Sequence, residues 1–211
     1  MFHVKRPAVG AMSAVSPLCP CVSADFVSGY VALLLGADDL VGPIQRHQAA
    51  ARLLGPALRL VSSLGPPHGC PVAELGAGVG PFAVVAAGAW RWTEVSAIDR
   101  RARCAAFLEA AGAILDLPSL HAVCVDVPPH APPEALRGRF HLVVVRAIAD
   151  VATSFALASG LVAAGGSMIL HHTTPECPSP VQHLRRGRRW NLSDHLQRLY
   201  ATEFADGSCG W

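Results

Sequence analysis

Between residues 70 and 172, short apolar runs alternate with longer stretches in which apolar residues recur at helical spacing. The runs predict strands over residues 72–75, 94–98, 120–125, 140–145 and 167–171. The stretches predict helices over residues 81–89, 101–115 and 152–161. Strands that alternate with helices form parallel βαβ units, so we expect an α/β fold. Its architecture would be a three-layer sandwich around a mostly parallel, Rossmann-like sheet.

The flanking regions have different patterns, and the chain divides into four predicted segments. Residues 1–24 contain no acidic residue and form a leader or an extended N-terminal tail. Residues 25–69 form an N-terminal helical segment, in which Pro56 is expected to introduce a kink. Residues 70–172 form the α/β core, with Gly165 and Gly166 as the turn before the fifth strand. Residues 173–211 form a degenerate extension with one more helix over residues 192–204.

Composition narrows the possible functions without selecting one. Hydrophobic residues make up 52% of the 211 residues and charged residues only 15%, which is typical of a core-rich globular domain. No apolar run approaches the roughly 18 residues needed to span a bilayer, so we expect no membrane association. The seven cysteines are irregularly spaced and form no CxxC pair, so no metal site is expected. The net charge of +2 is too small to indicate nucleic-acid binding by itself.

A glycine turn and three acidic residues form the candidate ligand site. The first strand of the core leads into Gly76, Gly78 and Gly80, whose lack of a side chain permits close approach of a ligand. Asp99 ends the second strand, where a carboxylate can accept both ribose hydroxyls, and Asp126 ends the third, where it can meet an adenine. The carboxyl ends of parallel strands are where open α/β sheets bind ligands.

The acid before the glycines distinguishes two cofactor classes. Glu74 would repel the pyrophosphate of a dinucleotide, which remains the alternative, but suits a cationic cofactor such as S-adenosylmethionine (SAM). The site therefore predicts the fold of the class I SAM-dependent methyltransferases.

Three stretches resemble the GidB/RsmG family, bacterial methyltransferases that modify N7 of a guanine in small-subunit ribosomal RNA. They are the glycine turn from Glu74 to Pro81, the basic helix after Asp99 with its Phe107-Leu108 pair, and the Arg146-Ala147 pair after the fourth strand. The resemblance covers about residues 30–172. It implies SAM as cofactor and ribosomal RNA, in the small subunit or its assembly intermediate, as partner.

The resemblance also implies roles for arginine side chains. Arg146 would hold the acceptor RNA and serve catalysis, and the alternative is a structural arginine that pairs with Asp150 or a helix end. A second cluster would contact RNA near Trp190, and it consists of Arg185, Arg186, Arg188 and Arg189. A third cluster, Arg100 to Arg103, is interpreted as a solvated helix surface.

Departures from the family pattern keep a non-enzymatic function open. Val145 replaces the family serine before the arginine, and His171-His172 replaces a Lys-Gly pair. With the acid-poor leader, these changes are compatible with a catalytically degenerate assembly factor or structural component of a mitochondrial small ribosomal subunit. We expect a mitochondrial location, with the cytoplasm as the alternative.

Overall fold

The computed structural model describes residues 22–37, 39–41, 50–67, 69–146, 148–172 and 198–203. The structural statements below concern these residues. The predicted RNA-binding cluster Arg185, Arg186, Arg188 and Arg189 lies outside them.

Six strands form a single sheet in the order β3-β2-β1-β4-β5-β6. They are β1 (Val72–Leu75), β2 (Val95–Asp99), β3 (Leu120–Cys124), β4 (Phe140–Arg146), β5 (Val162–His172) and β6 (Arg198–Glu203). Strands β1 to β5 are parallel, and β6 is antiparallel to β5. Every residue of β1 and β2 is buried, as expected of strands covered on both faces. The predicted α/β fold class is therefore confirmed.

Helices cover both faces of the sheet, which produces three layers. They are α1 (Ala24–Leu35), α2 (Gly55–Leu64), α3 (Pro81–Ala89), α4 (Ala102–Ile114) and α5 (Val151–Ala158). Side chains of α1 to α4 pack with alternate residues of the central strands, such as Val72, Ala97 and Val144. The intervening residues, such as Ala73 and Val143, form a second core with α5. The period-two alternation of a strand thus supplies both cores from the same residues.

The strand order determines where a ligand can bind. The chain moves outward from β1 to β2 and β3, then returns to place β4 on the other side of β1. The connections after β1 and β4 therefore diverge, leaving a crevice at the carboxyl ends of these two strands. The glycine turn follows β1 at this point.

The helix predicted over residues 192–204 is wrong at residues 198–203, which form strand β6, and the rest of that prediction lies outside the described residues. The pairing runs from Ser167 opposite Glu203 to His172 opposite Arg198. Without β6, the outer edge of β5 would present a row of unpaired backbone groups. This pairing depends on a strand that is distant in sequence, so the local pattern did not reveal it.

Two predicted breaks also lie in different settings from those expected. Gly165 and Gly166 lie within β5, at a bulge where the register with β4 shifts, instead of in a turn before it. Pro56 occupies the first turn of α2, directly after a π-helical turn over Ala50–Leu54. Leu54, the residue before α2, is itself helical (φ −71°, ψ −45°), so Pro56 lies at the junction of two helical turns, and the kink stays a prediction.

Candidate cofactor-binding site

The turn between β1 and α3 uses a backbone conformation that favours glycine. The φ angles of Gly76, Gly78 and Gly80 are 68°, 60° and 69°, all in the left-handed region. The N–H groups of Gly76 and Ala77 both donate to the carbonyl of Ile98, at 2.8 and 3.0 Å. These bonds attach the turn to the carboxyl end of β2, beside Asp99.

Each glycine of the turn faces a different side chain. A Cβ atom on Gly76 would clash with Cγ2 of Ile148, and one on Gly80 would clash with Cδ2 of Leu108. On Gly78, the nearest atom to such a Cβ would be Nη2 of Arg101, at 3.4 Å. Gly80 therefore allows α4 to pack against the turn, whereas Gly76 and Gly78 face residues that border the crevice.

Asp99 is almost completely buried and heavily hydrogen-bonded. Its Oδ2 accepts from the backbone N–H of Gly78 at 2.8 Å, and its Oδ1 accepts from the backbone N–H of Arg101 at 3.0 Å. The Arg101 guanidinium adds bonds from Nε to Oδ1 at 3.0 Å and from Nη2 to Oδ2 at 3.1 Å. Burial alone would raise the pKa of Asp99, but the bonds from Arg101 and Gly78 hold it below its usual value. Asp99 is therefore ionised at neutral pH.

Glu74 lies under the glycine turn and is fully buried. Its Oε2 accepts from the N–H of Ala83 at 2.8 Å and so satisfies a free donor of the first turn of α3. Its Oε1 is buried without a hydrogen-bond partner, 3.9 Å from Nη1 of Arg146. Desolvation raises the pKa of Glu74 to about 7, although the Arg146 charge and the N–H of Ala83 oppose the change. The carboxyl therefore titrates near neutral pH.

Arg146 ends β4 and is directed toward Glu74. Its side chain is only 16% exposed. Asp150, the structural partner considered from the sequence, instead caps α5 through bonds to the backbone N–H and hydroxyl of Thr153. Arg146 thus contributes a positive charge inside the crevice, and its predicted contact with RNA stays a prediction.

Asp126 lies two residues beyond the end of β3 and is exposed. The N–H of Val125 donates to the carbonyl of Asp99 at 3.2 Å, so Asp126 follows Asp99 along the same edge of the sheet. The structure therefore brings Glu74, Asp99 and Arg146 to the ends of three adjacent strands, with Asp126 at the periphery.

Two residues of this site had no functional role in the sequence interpretation. The Tyr30 hydroxyl of α1 donates to the carbonyl of Val79 at 2.6 Å and fixes the glycine turn from below. Burial beside Glu74 raises the pKa of Tyr30 well above its usual value, so it remains a donor. Arg101 was interpreted as part of a solvated helix surface, yet it binds Asp99. The only sequence signal for this contact was that Arg101 lies two residues after Asp99.

Comparison with known families identifies the chain. The family described as GidB, rRNA small subunit methyltransferase G, matches residues 28–176. The chain belongs to this family. The resemblance seen in the sequence is confirmed, and SAM is the cofactor class of the GidB fold. No curated protein sequence matches the chain.

Solved structures support the fold of this GidB family member. The pyocyanin biosynthetic protein PhzM is 14% identical with a TM-score of 0.57, over 77% of this chain and 57% of its own. A conserved hypothetical protein from Streptococcus pyogenes is 16% identical with a TM-score of 0.52, over 69% and 92%. At these identities the similarity shows the fold alone. The chain spans less than two thirds of the length of several solved chains that it matches, PhzM among them.

The residues of the crevice fit SAM. Glu74 and Asp99 place two carboxylates at the carboxyl ends of β1 and β2, which suits a cofactor that carries a cationic group and a ribose. Within the part of the chain that the structure describes, no cluster of three or more His, Cys, Asp or Glu side chains could hold a metal ion. In the same residues, no helix is long and apolar enough to cross a membrane.

Proposed function

We propose that this chain is a SAM-dependent methyltransferase that acts on small-subunit ribosomal RNA, at N7 of a guanine. One observation carries the proposal. Asp99 accepts a hydrogen bond from the N–H of Gly78 at 2.8 Å, so the carboxylate proposed to bind the ribose is joined directly to the glycine turn at the crevice. The match to a family of ribosomal RNA methyltransferases supports the substrate class.

The proposed reaction needs positioning more than acid–base catalysis. When bound, SAM supplies an electrophilic methyl group on its sulfonium. Guanine N7 would accept that methyl group through its lone pair and has no proton to lose. No general base is required. Holding the two reactants in line can itself supply a large part of the rate enhancement.

The side chains of the crevice divide these tasks. Glu74 faces the cationic part of the cofactor, and Asp99 accepts bonds from its ribose. Asp126, which is exposed at the same edge, is assigned to the adenine. Arg146 carries a positive charge to the end of β4, where it orients the acceptor RNA, and the arginines at 185, 186, 188 and 189 bind the phosphate backbone.

The test joins cofactor binding to methyl transfer. The purified chain is titrated with SAM by calorimetry and then incubated with methyl-labelled SAM and small ribosomal subunits, whose RNA is digested and analysed for 7-methylguanosine. We expect binding and label incorporation in the wild type and the loss of both in Gly78→Val, whose side chain meets Arg101 and requires a positive φ.

Gly69→Val is the matched control. Gly69 also has a positive φ, 78°, but a Cβ there would meet nothing within 4 Å. Gly69 precedes β1 and lies at the opposite edge of the sheet, so its variant carries similar backbone strain without blocking the site. Absence of SAM binding by the folded wild type would refute the proposal. Label on adenine or cytosine would refute the N7 assignment alone.

A second function, a degenerate methyltransferase-like assembly factor for a mitochondrial small ribosomal subunit, is favoured by one observation. The acceptor positions of Asp99 are already filled by protein donors, which would exclude a ribose if this arrangement were permanent. Complementation of cells that lack the protein distinguishes the two functions. An assembly factor restores subunit assembly when supplied as Gly78→Val, whereas a methyltransferase supplied as Gly78→Val does not restore the modification.

A C-terminal fluorescent tag tests the proposed mitochondrial location.

A further inference from the structure

The Asp99 carboxylate has no acceptor position left for a ligand. A carboxylate offers about four lone-pair positions. Two of them accept backbone N–H groups, from Gly78 and Arg101, and the other two accept Nε and Nη2 of the Arg101 side chain. A ribose that donates its two hydroxyls to Asp99 must therefore replace existing bonds.

The Arg101 side chain is the part of this arrangement that can leave. The two backbone donors belong to the glycine turn and to the residue before α4, and both are fixed by the fold. The Arg101 side chain is 51% exposed, whereas that of Asp99 is 5% exposed. Water can therefore solvate the guanidinium after it separates from Asp99. The exchange replaces two side-chain donors with two ribose hydroxyls.

The guanidinium also lies where the cofactor would approach the turn. Nη2 of Arg101 is 3.4 Å from the position of a Cβ on Gly78, the glycine whose N–H binds Asp99. The Arg101 guanidinium thus covers both the Asp99 carboxylate and the open face of Gly78.

We propose that Arg101 competes with the cofactor ribose for Asp99 and thereby determines the cofactor affinity of the site. This inference rests on the proposed function. The Arg101 guanidinium neutralises the buried Asp99 and covers the glycine turn. Binding of the cofactor displaces the side chain toward solvent, while the backbone bonds from Gly78 and Arg101 keep the carboxylate in place.

The test measures S-adenosylhomocysteine binding by calorimetry in the wild type and in Arg101→Met. This ligand carries no net charge, so changing the charge of the protein has little direct effect on it. Loss of the guanidinium should strengthen binding about five-fold, the factor that corresponds to a partly exposed bidentate ion pair. Arg103→Met is the matched control, because Arg103 also loses an ion pair, at 3.2 Å with Asp39, without contacting Asp99.

Ionic strength provides a second readout. Salt screens a partly exposed pair, so the difference in affinity between wild type and Arg101→Met should narrow between 50 mM and 500 mM salt. Arg101→Gln, which removes the charge but keeps an amide donor, replaces the methionine variant if the latter does not fold. It should also bind the ligand more tightly than the wild type.

The outcomes separate this inference from the proposed function. Equal affinities of wild type and Arg101→Met would overturn the inference and leave the cofactor site intact. Weaker binding in the variant would overturn it too, because Arg101 would then be a direct ligand of the cofactor. If no folded protein binds, the proposed function fails and the inference fails with it. Tighter binding in the variant alone, unchanged in Arg103→Met, supports competition.

Discussion

Replacing Glu74 by glutamine should remove a large part of the pH dependence of stability. The carboxyl of Glu74 is fully buried, with one oxygen on the N–H of Ala83 and the other without a hydrogen-bond partner. Its pKa is about 7 in the folded chain, against an ordinary value of 4.5. The neutral form is therefore favoured by folding, and ionisation weakens the folded state.

The sign and size follow from the two pKa values. Below pH 4.5 the Glu74 carboxyl is protonated in both the folded and the unfolded chain, so it does not lower the free energy of unfolding. As pH rises toward 7, the unfolded chain releases this proton first, so the free energy of unfolding falls. Above pH 7 the group is ionised in both states, and the free energy of unfolding stays at its lowered value. One pKa unit corresponds to about 1.4 kcal/mol, so the change between pH 5 and pH 8 is about 2–3 kcal/mol.

Urea unfolding monitored by tryptophan fluorescence at pH 5, 6, 7 and 8 measures this effect. Glu74→Gln has the same shape and no charge, so the free energy of unfolding of the wild type relative to this variant should fall by about 2–3 kcal/mol over that range. Glu109→Gln, at an exposed position of α4, is the control and should follow the wild type. If the free energies of unfolding of the wild type and Glu74→Gln changed in parallel with pH, burial would not be raising the pKa of Glu74.

Two further substitutions test the packing of the glycine turn by the same unfolding assay. Gly80→Ala combines a positive φ with a Cβ that clashes with Leu108, and should lower the free energy of unfolding by about 2–4 kcal/mol. Gly69→Ala, with a positive φ and open space, should cost only about 1–2 kcal/mol, and equal losses would exclude a packing role for Gly80. Tyr30→Phe leaves the buried carbonyl of Val79 without its donor and should cost about 1–3 kcal/mol, whereas an unchanged midpoint would show that another donor replaces the hydroxyl.

The fold was largely predictable because its signal is local. Each of β1 to β4 is a short apolar run next to a helical repeat, and the structure shifts their ends by only one residue or so. The failures lie where a distant partner decides the conformation. Residues 198–203 become a strand because the edge of β5 is available to pair with them. Gly165 and Gly166 join β5 because β4 extends the ladder past them.

The sequence by itself determined the chemical inventory of the site. Glu74, the three glycines and Asp99 are close in sequence to the ends of β1 and β2, and strand polarity alone brings them to one edge. Only the tertiary structure decided the partners of these groups. Arg146 reaches Glu74 because β4 pairs with β1, and Tyr30 reaches Val79 because α1 packs beneath the turn. Periodicity specifies which side of an element is buried, but strand order and helix packing decide which distant side chain meets it.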